Sequence, residues 1–145
     1  MWTGKYETTT DVPAQRLFEV ICDVNHWNKW DSGLEYAELE GAAVEGASFM
    51  LKPKGAPIIG MSIDVVKPFI FVDTAYLLLA KMRTTHEYVQ SGSDTRILFK
   101  IEITGLLGFL WRRALGEKQI EEAPAQMAAF IAYARDSVNS LRHAA

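Results

Sequence analysis

The stretch "DVPAQRLFEVICDVNHWNKWDSG", Asp11 to Gly33, decides how the rest of the chain is read. Asp11 offers an N-cap and Pro13 falls near the first helical position, the arrangement that starts a helix. Leu17, Phe18, Ile21 and Cys22 then recur at helical spacing, with Val24 next along the stripe. This predicts a short amphipathic helix, followed by a second short helix or turn running to Asp31-Ser32-Gly33. Trp27 and Trp30 stand in that second piece, three residues apart, so a helical turn puts them on one face.

Upstream, "KYETTTDV" is rich in β-formers, with Tyr6, Thr8 and Thr10 on one face of an extended segment. Downstream, from Leu34 to Thr104, the pattern is that of strands. Gly41, Gly46, Gly55-Ala56-Pro57, Lys67-Pro68 and Ser91-Gly92-Ser93-Asp94 separate "LEYAELE", "ASFMLKP", "MSIDVVK", "FIFVDTAYLL", "KMRTTHEYVQ" and "TRILFKIEIT". With the first segment this predicts seven strands. The tail from Glu117 to His143 is helical, with Ile120, Met127, Ile131, Ala134, Val138 and Leu141 forming one apolar stripe. Pro124 falls within it and either starts the main helix or kinks it. The predicted order is strand, two short helices, six strands and a long C-terminal helix.

One hairpin yields its register. With the turn centred on Gly92-Ser93, Tyr88 faces Ile97, His86 faces Phe99, Thr84 faces Ile101 and Met82 faces Ile103. The opposite face then pairs Arg83 with Glu102 and Thr85 with Lys100. Opposite charges meet on one face and apolar groups on the other, whereas a slip of one residue would bury charge. His86 and Tyr88 are therefore expected to point inward.

The bulk properties set limits. The chain has 145 residues, enough for one domain (1–145) with one sizeable core. Hydrophobic residues make up 49%, charged residues 23%, and the net charge is −3. Such a mildly acidic chain lacks the attraction for phosphate backbones that drives nucleic-acid binding. Cys22 is the only cysteine, so no internal disulfide forms. "MWTGKYETTTD" has no apolar leader, and "FIFVDTAYLLLA", interrupted by Asp73, is too short to span a bilayer. A cytoplasmic location is expected.

The element order, "DVPAQRLFEVICDVNHWNKWD", the following "GAAVEGASFMLKPKG" and the final amphipathic helix resemble the START-like (Bet v 1-like, SRPBCC) superfamily, and within it bacterial polyketide cyclase/dehydrase-type domains. The likeness covers nearly the whole chain through diffuse motifs. It implies an α+β helix-grip fold: a curved seven-stranded antiparallel sheet around the long C-terminal helix, with two short helices between strands 1 and 2. It also implies an elongated apolar cavity between helix and sheet for a lipid, polyketide or other hydrophobic small molecule. On that fold the tryptophan pair plugs the narrow end of a bent sheet, since an indole fills volume at low conformational cost. Trp27 then reads as core and Trp30 as cavity wall. Asp31 reads as a turn or capping residue rather than an acid catalyst.

The candidate cavity residues are Trp30, Met82, Thr84, His86, Tyr88, Phe99, Ile101, Ile103, Met127 and Ile131. His86 is the candidate acid–base, with Tyr88 as hydrogen-bond donor to a developing enolate and Asp73 or Tyr76 as the group that orients the imidazole. The competing reading makes His86 a core histidine bonded to a carbonyl or water, and Tyr88 plain packing. HExxH, GxSxG, P-loop and GxGxxG motifs are absent. His26, His86 and His143 are too scattered for a metal site, so neither metal nor cofactor is expected.

Asp64, between Ile63 and Val65, is expected to face solvent. Arg112 and Arg113 form either an anion-binding lip or the solvated face of a short helix. Cys22 reads as a small buried hydrophobe. "GLLGFLW" before those arginines has the composition of an interfacial segment, with packing beneath the sheet as the preferred alternative. Membrane contact is expected to be transient at most, and a homodimer is compatible with the sequence.

Three functions follow. The first is binding of a hydrophobic small molecule. The second is a cyclase or dehydratase using His86. The third is a non-catalytic interaction domain whose interior is filled by its own side chains.

Overall fold

A computed structural model describes residues 1–144, with side chains described through Asp136. Val138, Leu141 and His143 lie outside the residues whose side chains are described. The strands are β1 (Trp2–Thr10), β2 (Leu34–Glu38), β3 (Ser48–Pro53), β4 (Ile59–Lys67), β5 (Ile70–Leu77), β6 (Ala80–Ser91) and β7 (Asp94–Thr104). They form one antiparallel sheet in the order β1-β7-β6-β5-β4-β3-β2. Helix α1 (Ala14–Cys22) and a 3₁₀ turn (Val24–Lys29) separate β1 from β2. After β7 come α2 (Gly108–Trp111), a π turn (Arg112–Gly116) and the long α3 (Glu117–Ala144).

The β6–β7 register is the one the charge pattern predicts: Tyr88 opposite Ile97, His86 opposite Phe99, Thr84 opposite Ile101 and Met82 opposite Ile103. Arg83 lies opposite Glu102 and Thr85 opposite Lys100. Ser91 pairs with Asp94 around Gly92, whose φ of 61° suits a residue without Cβ. Ile97, Phe99, Ile101 and Ile103 are all buried on the inner face. At roughly 1.5–3 kcal/mol for each large aliphatic or aromatic side chain buried, this alternation alone fixes the register.

Helix α1 buries Ala14, Leu17, Val20 and Ile21, while Phe18 and Cys22 are only half-buried. Its N-cap is Pro13, not Asp11. The Ala14 amide is instead met by the side-chain oxygen of Gln90 at 2.9 Å, and Asp11 pairs with Arg135 of α3. Gln90 and Thr95, whose hydroxyl donates to the Val12 carbonyl at 2.8 Å, tie the helix start to the β6–β7 hairpin.

Pro124 lies inside α3 and so does not start it. It leaves the Ile120 carbonyl without its usual i+4 donor. The buried line of α3 is Ala123, Met127, Phe130 and Ala134, a 4-3-4 spacing. Ile120 and Ile131, expected on the central stripe, stand half-buried at its margins. Two glycines let this end of the rod come close to the sheet. A Cβ on Gly4 would lie 2.7 Å from Ile120 Cγ1, and one on Gly116 would lie 2.4 Å from the Trp2 ring.

Candidate functional site

Trp27 and Trp30 behave differently. Trp27 is 6% exposed, and its indole N–H donates to the Ile21 carbonyl at 2.9 Å. Its ring meets Phe49 edge-on at 5.5 Å and Phe71 at 6.0 Å. It is core, as expected. Trp30 is 8% exposed, with its ring edge-on to Phe130 at 4.9 Å, and its Nε1 is the one buried side-chain donor among the described residues without a partner. Such an orphan costs on the order of 1–3 kcal/mol in desolvation.

Asp31 takes the role of a turn residue. Its Oδ1 accepts from the Gly33 amide at 3.0 Å and its Oδ2 from Gln126 of α3 at 2.9 Å. Burial raises its pKa, and these two bonds pull in the opposite direction.

The sheet contributes a polar group to an otherwise apolar inner face. Asp73 of β5 lies directly opposite Thr84 of β6, with His86 two residues along on the same side. His86 Nε2 stands 3.4 Å from Asp73 Oδ2, and the two side chains are 11% and 5% exposed. The imidazole sits between Phe71 (6.0 Å) and Phe99 (5.7 Å). Tyr88, 4% exposed, follows on the same face. Burial, then the neighbouring Cys22 and Asp73, hold its pKa well above the ordinary tyrosine value, so it stays a phenol.

Of the two groups expected to orient His86, Asp73 lies beside it and Tyr76 does not. Tyr76 is exposed on the outer face, with its hydroxyl 2.9 Å from Ser62 Oγ. Asp64 is also on that face, accepting from Ser62 at 2.9 Å and from Thr74.

Met82, Thr84, Phe99, Ile101, Ile103 and Met127 are buried, whereas Ile131 stays at the margin. Phe130, which is not among the expected cavity residues, bridges helix and sheet. Besides meeting Trp30, it stacks on Tyr88 at 6.0 Å and 21°. The helix therefore touches the sheet at the centre of the expected gap. Two concavities among the described residues, about 300 and about 470 Å³, lie on the outer face and by the β5–β6 turn. None of the ten candidate cavity residues lines either of them.

Elsewhere, Arg112 pairs with Glu117 at 2.8 Å and lies over the Trp2 ring, 5.8 Å from its centroid. Burial pushes the Cys22 thiol up to about 11, so it stays protonated and inert. No group of three His, Cys, Asp or Glu side chains that could hold a metal occurs among the described residues. Nor is any helix among them long and apolar enough to cross a membrane.

No family model matches the chain, and no curated protein matches it. Solved structures do. The Zhui aromatase/cyclase of a Streptomyces species superposes with a TM-score of 0.75 at 13% identity, covering 94% of this chain and 95% of that one. Norcoclaurine synthase from Thalictrum flavum, in complex with dopamine and hydroxybenzaldehyde, gives 0.70 at 15% identity over 95% and 87%. A START superfamily protein from Mycobacterium smegmatis gives 0.69 at 10% identity over 86% and 93%. The open seven-stranded antiparallel sheet, the two short helical pieces after β1 and the long final helix together give this chain the helix-grip fold of the START-like, Bet v 1-like proteins.

Proposed function

We propose that the protein binds a small hydrophobic molecule, aromatic or polyketide-like and carrying an oxygen acceptor, between the inner sheet face and α3. The observation that carries this reading is the polar set turned into an apolar interior: Asp73, His86, Tyr88 and the unpartnered Trp30 N–H. A core serving stability alone gains little from such groups, because apolar residues of similar volume are often neutral or more stable there. They suit a guest that is mostly apolar with one or two polar points. The structural neighbours include an aromatase/cyclase and a synthase complexed with dopamine and hydroxybenzaldehyde, both on this fold. Phe130 occupies the centre of the volume, so the guest enters as that ring swings aside. A cytoplasmic setting goes with the reading, Cys22 being a free thiol.

The test is native mass spectrometry of protein purified from cell extract, joined to thermal unfolding against a panel of aromatic and polycyclic compounds. A guest that prefers the folded state raises the melting temperature. Trp30→Phe and Tyr88→Phe should weaken that rise. If nothing co-purifies and no compound stabilises the protein, binding is excluded and the filled interaction domain takes its place.

One observation favours a second reading, a cyclase or dehydratase. With a carboxylate on Nε2, His86 keeps Nδ1 for taking up or delivering a proton, and the Tyr88 hydroxyl is a donor for a developing enolate. In that case His86→Gln abolishes turnover of an identified ligand while leaving its binding within a few-fold.

A further inference from the structure

The end of the sheet near α2 carries an apolar corner outside the interior. The segment after β7 does not pack beneath the sheet as a whole. Trp111 and Leu115 lean on the core, but Leu106, Phe109 and Leu110 are 81%, 64% and 49% exposed. Their segment runs alongside the β5–β6 turn, where Leu78 and Leu79 are 69% and 57% exposed. The two pieces are joined at the carbonyls of the turn: the Leu107 amide donates to the Leu79 carbonyl at 3.1 Å, and the Trp111 indole donates to the Leu78 carbonyl at 2.9 Å. Exposed hydrophobic side chains scattered singly need no explanation, whereas a contiguous group marks an interaction site. With Tyr76 on its edge, this one corner holds six of the ten large hydrophobics exposed on the described surface.

The turn is built against local preference. A two-residue hairpin turn ordinarily carries Gly, Asn or Asp, both for solvation and for positive φ. Here it is Leu78-Leu79, with Leu79 at φ 51°, a left-handed backbone that leucine rarely adopts. Neither side chain gains burial within the chain in return.

We propose that this corner docks reversibly on an anionic lipid surface. Cations flank it. Lys81 Nζ lies 5.6 Å from the Tyr76 ring centroid, and Arg113 has no ion-pair partner among the described residues, while Arg112 is already paired with Glu117. Apolar tips rimmed by basic residues suit the boundary between acyl chains and negatively charged headgroups. A second copy of the chain is a poorer occupant. Six side chains fall far short of the roughly 20–30 residues per side that a stable protein interface uses. The surface is independent of the interior reading and stands or falls without it.

The experiment is sedimentation of the full chain with vesicles of phosphatidylcholine alone and of phosphatidylcholine mixed with phosphatidylglycerol, at low and high salt. Binding to the mixed vesicles, weakened by salt, is expected. Phe109→Glu and Leu79→Asn should each weaken it by about tenfold or more. Arg113→Glu should weaken it and flatten the salt dependence. Leu79→Asn carries the internal control: asparagine tolerates the left-handed backbone, so thermal stability should hold or rise while vesicle binding falls. Failure to bind either vesicle overturns the proposal, as does binding that survives all three substitutions. A concentration-dependent dimer in sedimentation velocity, dissolved by the same substitutions, would overturn it in favour of a second copy.

Discussion

The imidazole of His86 stands with Nε2 3.4 Å from Oδ2 of Asp73, both side chains being almost fully removed from solvent on the inner face of the sheet. Among the described residues neither has another ion-pair partner. Breaking a buried pair from one side leaves an uncompensated charge, at about 3–5 kcal/mol. His86→Leu and Asp73→Leu are each expected to destabilise on that scale, and the double variant by far less than their sum. Urea denaturation of all four proteins closes the cycle. Additive losses would mean that the two groups do not act as a pair.

Phe130 is held between Trp30 and Tyr88, so truncating it should leave a hole between helix and sheet. Phe130→Ala is expected to cost about 3–5 kcal/mol. Indole or benzene at millimolar concentration should restore part of that loss, which thermal unfolding with and without the aromatic would show. A collapsed site would give the loss without the rescue.

The two tryptophans offer a paired comparison. Trp27→Phe discards a satisfied bond to the Ile21 carbonyl. Trp30→Phe discards a buried donor that has no acceptor. Stability losses from chemical denaturation should therefore be clearly larger at 27, by about 1 kcal/mol or more.

Cys22 and Tyr88 both have raised pKa values in the fold, for reasons led by burial. Groups raised in the folded state contribute stability that is complete below their ordinary values and is lost as pH climbs through the folded ones. For Cys22 the window runs from 9.0 to about 11. Unfolding midpoints measured across that range should fall more steeply for the natural chain than for Cys22→Val. Near pH 8 the native thiolate population is about a hundredfold below that of an unfolded thiol, so iodoacetamide should label the native protein correspondingly slowly.

What could be read from the sequence follows the strength of local alternation. The β6–β7 register was legible because Arg83, Thr85, Lys100 and Glu102 alternate with apolar partners, and only one pairing keeps charge out of the core. Strand β5 offers no such contrast. Phe71 through Ala75 are all buried, so the direction of Asp73 comes from its pairing with Thr84 and not from its own neighbours. The break between β5 and β6 was legible to within a residue or two, but no turn residue marked Leu78-Leu79 as the turn itself. On α3 the wide-set isoleucines drew the stripe toward the margins, although the 4-3-4 spacing through Met127, Phe130 and Ala134 was there to find.

Pro124 has a mechanical consequence. A rod with one rung missing bends most cheaply at that rung. Here the weak rung separates the part clamped to the first strand, where Ile120 crowds Gly4, from the part that bears Phe130. Each half has its own moorings, the second through Gln126 to Asp31 and Arg135 to Asp11, so flexing of the rod concentrates at Pro124 and leaves both sets of ties in place.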